Sequence, residues 1–140
     1  MTRTQAAREI TLAVLFLLVP LYAQIWAVHA TVPFDFTADQ QEFLSGKYCI
    51  STDGAATVRL TRADSTHIAA VNTVLVRSAS QATPRVVFHT YGEKHFLAEV
   101  WLGEPNLVRQ VYASAAELEL ARTTKQEVTT IVATLAPTKR

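Results

Sequence analysis

The chain has 140 residues, 13 of them Lys or Arg and 12 Asp or Glu, with a single cysteine. A near-neutral domain of this length has no global field to draw in nucleic acid or an anionic membrane, and one cysteine excludes an intrachain disulfide. The length suits a single domain whose core needs neither metal nor disulfide to form.

The first thirty residues read as an export signal. Arg3 and Arg8 give a basic start, Ile10 to Val19 is apolar apart from Thr11, Pro20 breaks the helix, and Leu21-Tyr22-Ala23 offers a cleavage box. That order of basic, apolar and small residues is the secretory pattern. Residues 1–23 are therefore expected to be a signal peptide, with export to the periplasm or medium. A cut after Ala30 is the second choice, since it would consume the start of the first strand. The alternative is an uncleaved anchor to the inner membrane over residues 10–28, close to the about 20 residues that span a bilayer. Without Arg3, Arg8 and Glu9, eleven residues of each sign remain.

Residues 24–136 read as one β-rich domain and 137–140 as a disordered tail. Ala30 to Thr37 alternates, with Val32, Phe34 and Phe36 on one face. Pro33 has no N–H to donate and places this strand at an edge or at a bulge. Residues 38–46 are polar and turn-like. Lys47 to Ser51 is a second strand, Asp53-Gly54 a turn, and Thr57 to Arg62 a third strand. The apolar pattern favours an odd-length loop here, pairing Ile50 with Val58 and Tyr48 with Leu60. His67 to Arg77 is β-branched and apolar on both faces, as in a central strand. Arg85 to Tyr91 and Lys94 to Leu102 form a hairpin with Gly92 in the first position of a type II′ turn. Leu107 to Tyr112 is another strand. Ser114 to Arg122 is a helix opened by a Ser114–Glu117 capping box, and Val128 to Leu135 is the last strand. The fold class is all-β, a small antiparallel sandwich or barrel of about seven strands with one short C-terminal helix, preceded by the signal helix.

Reaction signatures are missing: no Gly-rich phosphate loop, no G-x-S-x-G, no H-E-x-x-H and no paired cysteines. His89 and His95 flank the hairpin turn, but a two-residue Gly92-Glu93 turn pairs Thr90 with His95 and His89 with Phe96. The two imidazoles then point to opposite faces and cannot share a metal. No metal or cofactor is expected. Cys49, in a strand-like KYCIS, is expected to be a small buried apolar residue. Asp35 alternates outward, Asp53 and Asp64 serve turns, and Glu117 serves the cap, whereas Glu99 lies mid-strand two residues from Trp101. Trp101 is expected to share a face with His95, Leu97 and Glu99, a mixed surface suited to an unknown protein or small ligand. A non-catalytic binding or envelope-associated domain is the favoured function. The alternative is a hydrolase whose site is assembled from His89, Glu99 and Asp35, or the same domain tethered to the membrane.

Four segments, ATVPFDF (30–36), SGKY (45–48), VVFHTYGEKHFLAEVW (86–101) and SAAELELA (114–121), resemble blocks of a family of small exported bacterial β-rich proteins of unknown function. The resemblance implies an exported β domain and carries over no functional residue. Cys49 stands where the family pattern has Thr or Val, and the helix here lacks most of the family's basic residues.

Overall fold

The computed structural model describes residues 25–79 and 83–136. The leader, its cleavage box and the tail at 137–140 lie outside the described residues. The described chain is mostly β, as its alternating pattern requires. Its strands are β1 (Ala27–Val32), β2 (Phe36–Ala38), β3 (Gln41–Phe43), β4 (Gly46–Thr52), β5 (Thr57–Arg62), β6 (Ile68–Arg77), β7 (Arg85–Tyr91), β8 (Lys94–Trp101), β9 (Leu107–Val111), β10 (Glu127–Val132) and β11 (Thr134–Leu135), with one described helix, α1 (Ala115–Thr123), between β9 and β10.

Hydrogen-bonded neighbours run β10-β7-β8-β9-β6-β5-β4-β1-β11, all antiparallel. Two segments pass from one half of the sheet to the other. The first half of β6 (68–72) pairs with β5 and the second half (73–77) with β9. β10 pairs with β7, and after Ala133 the same segment pairs as β11 with β1. The path thus begins and ends on one stretch of chain, so the sheet curls back on itself. Strands that change sheet in this way make the corners of orthogonally packed β layers.

The inner face is filled by side chains. Val28, Val32, Ile50, Val58, Leu60, Val71, Phe88 and Val100 are almost wholly buried, and Phe36 meets Phe43, Tyr48 and Phe88 at centroid distances of 5.1, 5.4 and 5.2 Å. A second cluster, Val87, Trp101 and Val108 with Val76 against it, lies on the outer face of β7–β8–β9.

Several sequence expectations are corrected by pairing partners. β1 begins at Ala27; β4 pairs with it along all six residues, and β11 only at Val28 and His29. Pro33 has no N–H to continue the ladder, and the strand stops at Val32 rather than running to Thr37, with Phe36 and Thr37 in β2. The stretch at 38–46 contains a short hairpin, β2–β3, turning at Asp39 and Gln40 with φ of 47° and 67°. These are the left-handed angles of a type I′ turn, for which Asn-Gly is the usual signal. Its absence hid two of the strands beyond the seven or so expected. In the β4–β5 hairpin Ile50 pairs with Leu60 and Thr52 with Val58. The loop is odd in length, as the apolar pattern demands, but longer than the expected register allows. Arg109 holds it open, donating to the carbonyls of Gly54 (3.4 Å) and Ala55 (3.0 Å). β6 lies between β5 and β9 but presents only one buried face, Ala69, Val71 and Thr73.

Candidate functional site

The β7–β8 hairpin carries the site. Gly92 has φ of 63° and Tyr91 pairs with Lys94, the two-residue turn its glycine calls for. Thr90 pairs with His95 and His89 with Phe96, so the two imidazoles lie on opposite faces. His95 is on the inner side. It stacks on Phe34 at 3.8 Å, its Nδ1 lies 2.9 Å from Thr90 Oγ1, and burial lowers its pKa. His89 is on the outer side, where α1 crosses.

A bulge then changes the faces of β8. Val87 pairs with Glu99 but Phe88 with Leu97, leaving Ala98 extra. An extra residue shifts the alternation by one. Leu97, before the bulge, stays on the inner face with His95, while Glu99 and Trp101, after it, come to the outer face. The expectation that Trp101 shares a face with His95 and Leu97 is overturned by this bulge; only Glu99 stays beside it. Trp101 is buried, its indole Nε1–H donates to Glu99 Oε1 at 2.9 Å, and the Arg85 guanidinium sits 4.2 Å above its ring.

Between α1 and this outer face lies a cleft of about 300 Å³ lined by His89, Tyr91, Glu99, Gln110, Glu117 and Gln126, with Ala98, Val111 and Ala113 as its apolar wall. Its organising residue is Glu117. Ser114 Oγ caps the helix by accepting from the Glu117 N–H at 3.2 Å. The Glu117 carboxylate does not stop at the capping role expected for it: its Oε2 accepts from Tyr91 O–H at 3.0 Å and lies 3.0 Å from His89 Nδ1. Glu117 is 5 % exposed, and a buried carboxylate needs such donors. Burial, and then the bond to Glu117 and its charge, raise the Tyr91 pKa.

The arrangement has definite chemical capacity. A carboxylate acceptor on Nδ1 places the His89 proton there and leaves Nε2 as the acceptor. Glu99 and Glu117 add negative charge, and Gln110 and Gln126 add amide donors and acceptors. Among the described residues the lining contains no Ser, Thr or Cys, and the Tyr91 hydroxyl is committed to Glu117. The cleft can hold a polar ligand or move a proton.

Of the residues singled out from the sequence, His89 and Glu99 meet here and Asp35 does not. Asp35 accepts from the Ser45 N–H at 2.8 Å and lines a different cleft, beside Glu42, Glu93 and Lys94. A hydrolytic site made of all three is not assembled. Glu117 and Tyr91 are the members the sequence reading missed. The one available signal was a capping-box glutamate on a helix following a hairpin with a histidine and tyrosine two residues apart. Cys49 is half-buried rather than buried, on the outward side of β4 opposite His29 and Thr61, and burial raises its pKa. Among the described residues no helix is long and apolar enough to cross a membrane, and no group of three or more His, Cys, Asp or Glu could hold a metal ion. Comparison of the chain with protein-family models, with curated proteins and with solved structures returns no match.

Proposed function

We propose that this protein is an exported binding domain that takes a small, polar, donor-rich ligand, or a side chain of a partner, in the cleft beneath α1. The supporting observation is Glu117, a buried carboxylate held by Tyr91 and His89 at the floor of a cleft whose other charged wall is Glu99. Two carboxylates already engaged by Tyr91 and Trp101, with two amides beside them, favour recognition of an amine, guanidine or polyol. The inner face, filled by Phe36, Phe88 and their neighbours, leaves the ligand to the outside of the sheet, on the side that carries Trp101. The test is an NMR titration of the protein with simple amines, guanidines and polyols against carboxylates and phosphates. Donor-rich compounds should perturb His89, Glu99 and Gln126, and Glu99→Gln should weaken them. Perturbation by anions alone, or indifference to Glu99→Gln, overturns the reading.

A second reading rests on the same pair: His89, oriented by Glu117, acts as a general base through Nε2. Turnover lost in His89→Ala and retained in Asp35→Asn would establish it in place of the three-residue hydrolase.

Export is supported by the order of the leader, and β1 bears on where the leader is cut. A cut after Ala30 would remove Val28, which is fully buried and paired with Ile50 and Leu135. A start at Gln24 leaves β1 whole. Since β1 begins at Ala27, a tether would have only the stretch 10–26 before it, at the short end of the roughly 17–25 residues that span a bilayer. N-terminal sequencing of exported protein should begin at Gln24; an intact Met1 would favour the tethered form instead.

A further inference from the structure

The outer side of β1, β4 and β5 carries a second cleft, of about 650 Å³, that shares no lining residue with the one beneath α1. Alternation aims His29 and Thr31 of β1, Lys47 and Cys49 of β4, and Thr61 of β5 away from the core. The ladders set these side chains next to one another. Thr134, His29, Cys49 and Thr61 form one row across β11, β1, β4 and β5, and Thr31 lies opposite Lys47 in the next. Val132, at the end of β10, borders this floor on the β1 side, and Ser65, in the turn after β5, on the other.

The chemistry of the floor is the reverse of that beneath α1. Its described lining has no Asp or Glu. Lys47 brings a positive charge with no ion-pair partner among the described residues, whereas Arg62, at the border, is already paired with Asp64 at 3.2 Å. The side chains of His29, Thr31, Thr61 and Thr134 likewise make no hydrogen bond to other described residues. Burial raises the Cys49 pKa, so at neutral pH the thiol adds no negative charge. We infer that this cleft is an oxyanion site, which takes the carboxylate or phosphate group of a small ligand against Lys47, with the Thr31 and Thr61 hydroxyls and the His29 ring as further donors. An ammonium group forms charge-assisted hydrogen bonds to such oxygens, and hydroxyls rotate to suit them. An amine or guanidine, the ligand type proposed for the α1 cleft, would meet like charge here. The two clefts therefore select opposite charges, and this site does not depend on the reading of the other.

Cys49 is the only cysteine of the chain and lies two residues from Lys47 on the same face, so it reports on the site directly. Iodoacetate and iodoacetamide alkylate the same thiolate and are close in size, but the first carries a negative charge. Their rate ratio at Cys49 in the folded full chain, divided by the ratio in the urea-unfolded chain, cancels thiol pKa and access and leaves the local potential. That quotient should be about threefold above unity at low salt, and should fall toward unity at high salt and in Lys47→Gln. Inorganic phosphate and citrate at millimolar concentrations should slow iodoacetamide alkylation of the wild type saturably, and of Lys47→Gln much less. Protection by only one of these anions supports the site and assigns it to that group. A quotient at or below unity overturns the proposal. So does a Cys49 as reactive with both anions as without them, protection by ethylenediamine in their place, or a Lys47→Gln variant protected as well as the wild type.

Discussion

Glu117 sits in the first turn of α1, where a carboxylate serves the helix by its charge alone, and yet its side chain is turned down onto Tyr91 and His89. Its two donors differ in what they do. The Tyr91 hydroxyl satisfies a buried charge, so Tyr91→Phe should cost about 1.5–3 kcal/mol in urea denaturation; a loss near zero would mean that water replaces it. The His89 contact selects a tautomer. Imidazole ¹⁵N shifts should report the Nδ1–H form in the wild type and a move toward Nε2–H in Glu117→Gln, whose amide can donate to Nδ1; an unchanged tautomer would show that Glu117 does not orient the ring. His95 is the complementary case, an imidazole with no carboxylate. Its burial against Phe34 disfavours the charged form and lowers its pKa below the ordinary 6.5. The unfolded chain takes up a proton at His95 as pH falls through about 6.5, and the folded chain does so only at lower pH. Its stabilising contribution is therefore complete above that pH and is lost as pH falls toward the folded value. Stability should drop as pH falls below about 6.5, and His95→Phe, which keeps the stack, should flatten that part of the slope. An unaltered slope would place the titration elsewhere.

At the level of elements, local chemistry was legible wherever it was self-contained. Gly92 announced its two-residue turn, and that turn alone placed His89 and His95 on opposite faces. Ser114 announced the helix start, and the cap is made. Ser114→Ala should cost about 1 kcal/mol and also broaden the His89 and Tyr91 signals, because the cap fixes the turn that carries Glu117. A stability loss with those signals unmoved would separate the helix from the site. Elements held by distant partners were not legible. The β2–β3 turn has left-handed Asp39 and Gln40 without a glycine, and it is pinned by Asp39 and Gln41 reaching β6. The Ala98 bulge leaves no mark in an apolar run that reads well in either register, yet it moves Glu99 into the cleft and Trp101 to the outer face.

For the whole molecule, the decisive side chain is Arg109. It lies on the inner face of β9 and is 3 % exposed. Its Nε and Nη2 bind the Glu104 carboxylate at 2.9 and 3.3 Å, and its Nη1 reaches the carbonyls of Gly54 and Ala55. One guanidinium thus ties the β8–β9 loop to the β4–β5 loop, joining the two halves between which β6 passes. Arg109→Ala would leave the Glu104 charge buried and unpaired, and should cost about 3–5 kcal/mol in thermal or urea unfolding; a loss below about 1 kcal/mol would mean that Glu104 escapes to water.

From the residue order by itself came the strand-rich class, the hairpin at Gly92, the capped helix and the alternation that sends Val32, Phe36, Ile50 and Leu60 inward, because each of these follows from side chains within a few positions of one another. Which ladders meet, how the sheet returns on itself through the segment at 127–135, and the meeting of Glu117 with His89 and Tyr91 were decided only in three dimensions. Those pairings join residues far apart in the chain, and their energies depend on burial and on partners that no local pattern specifies.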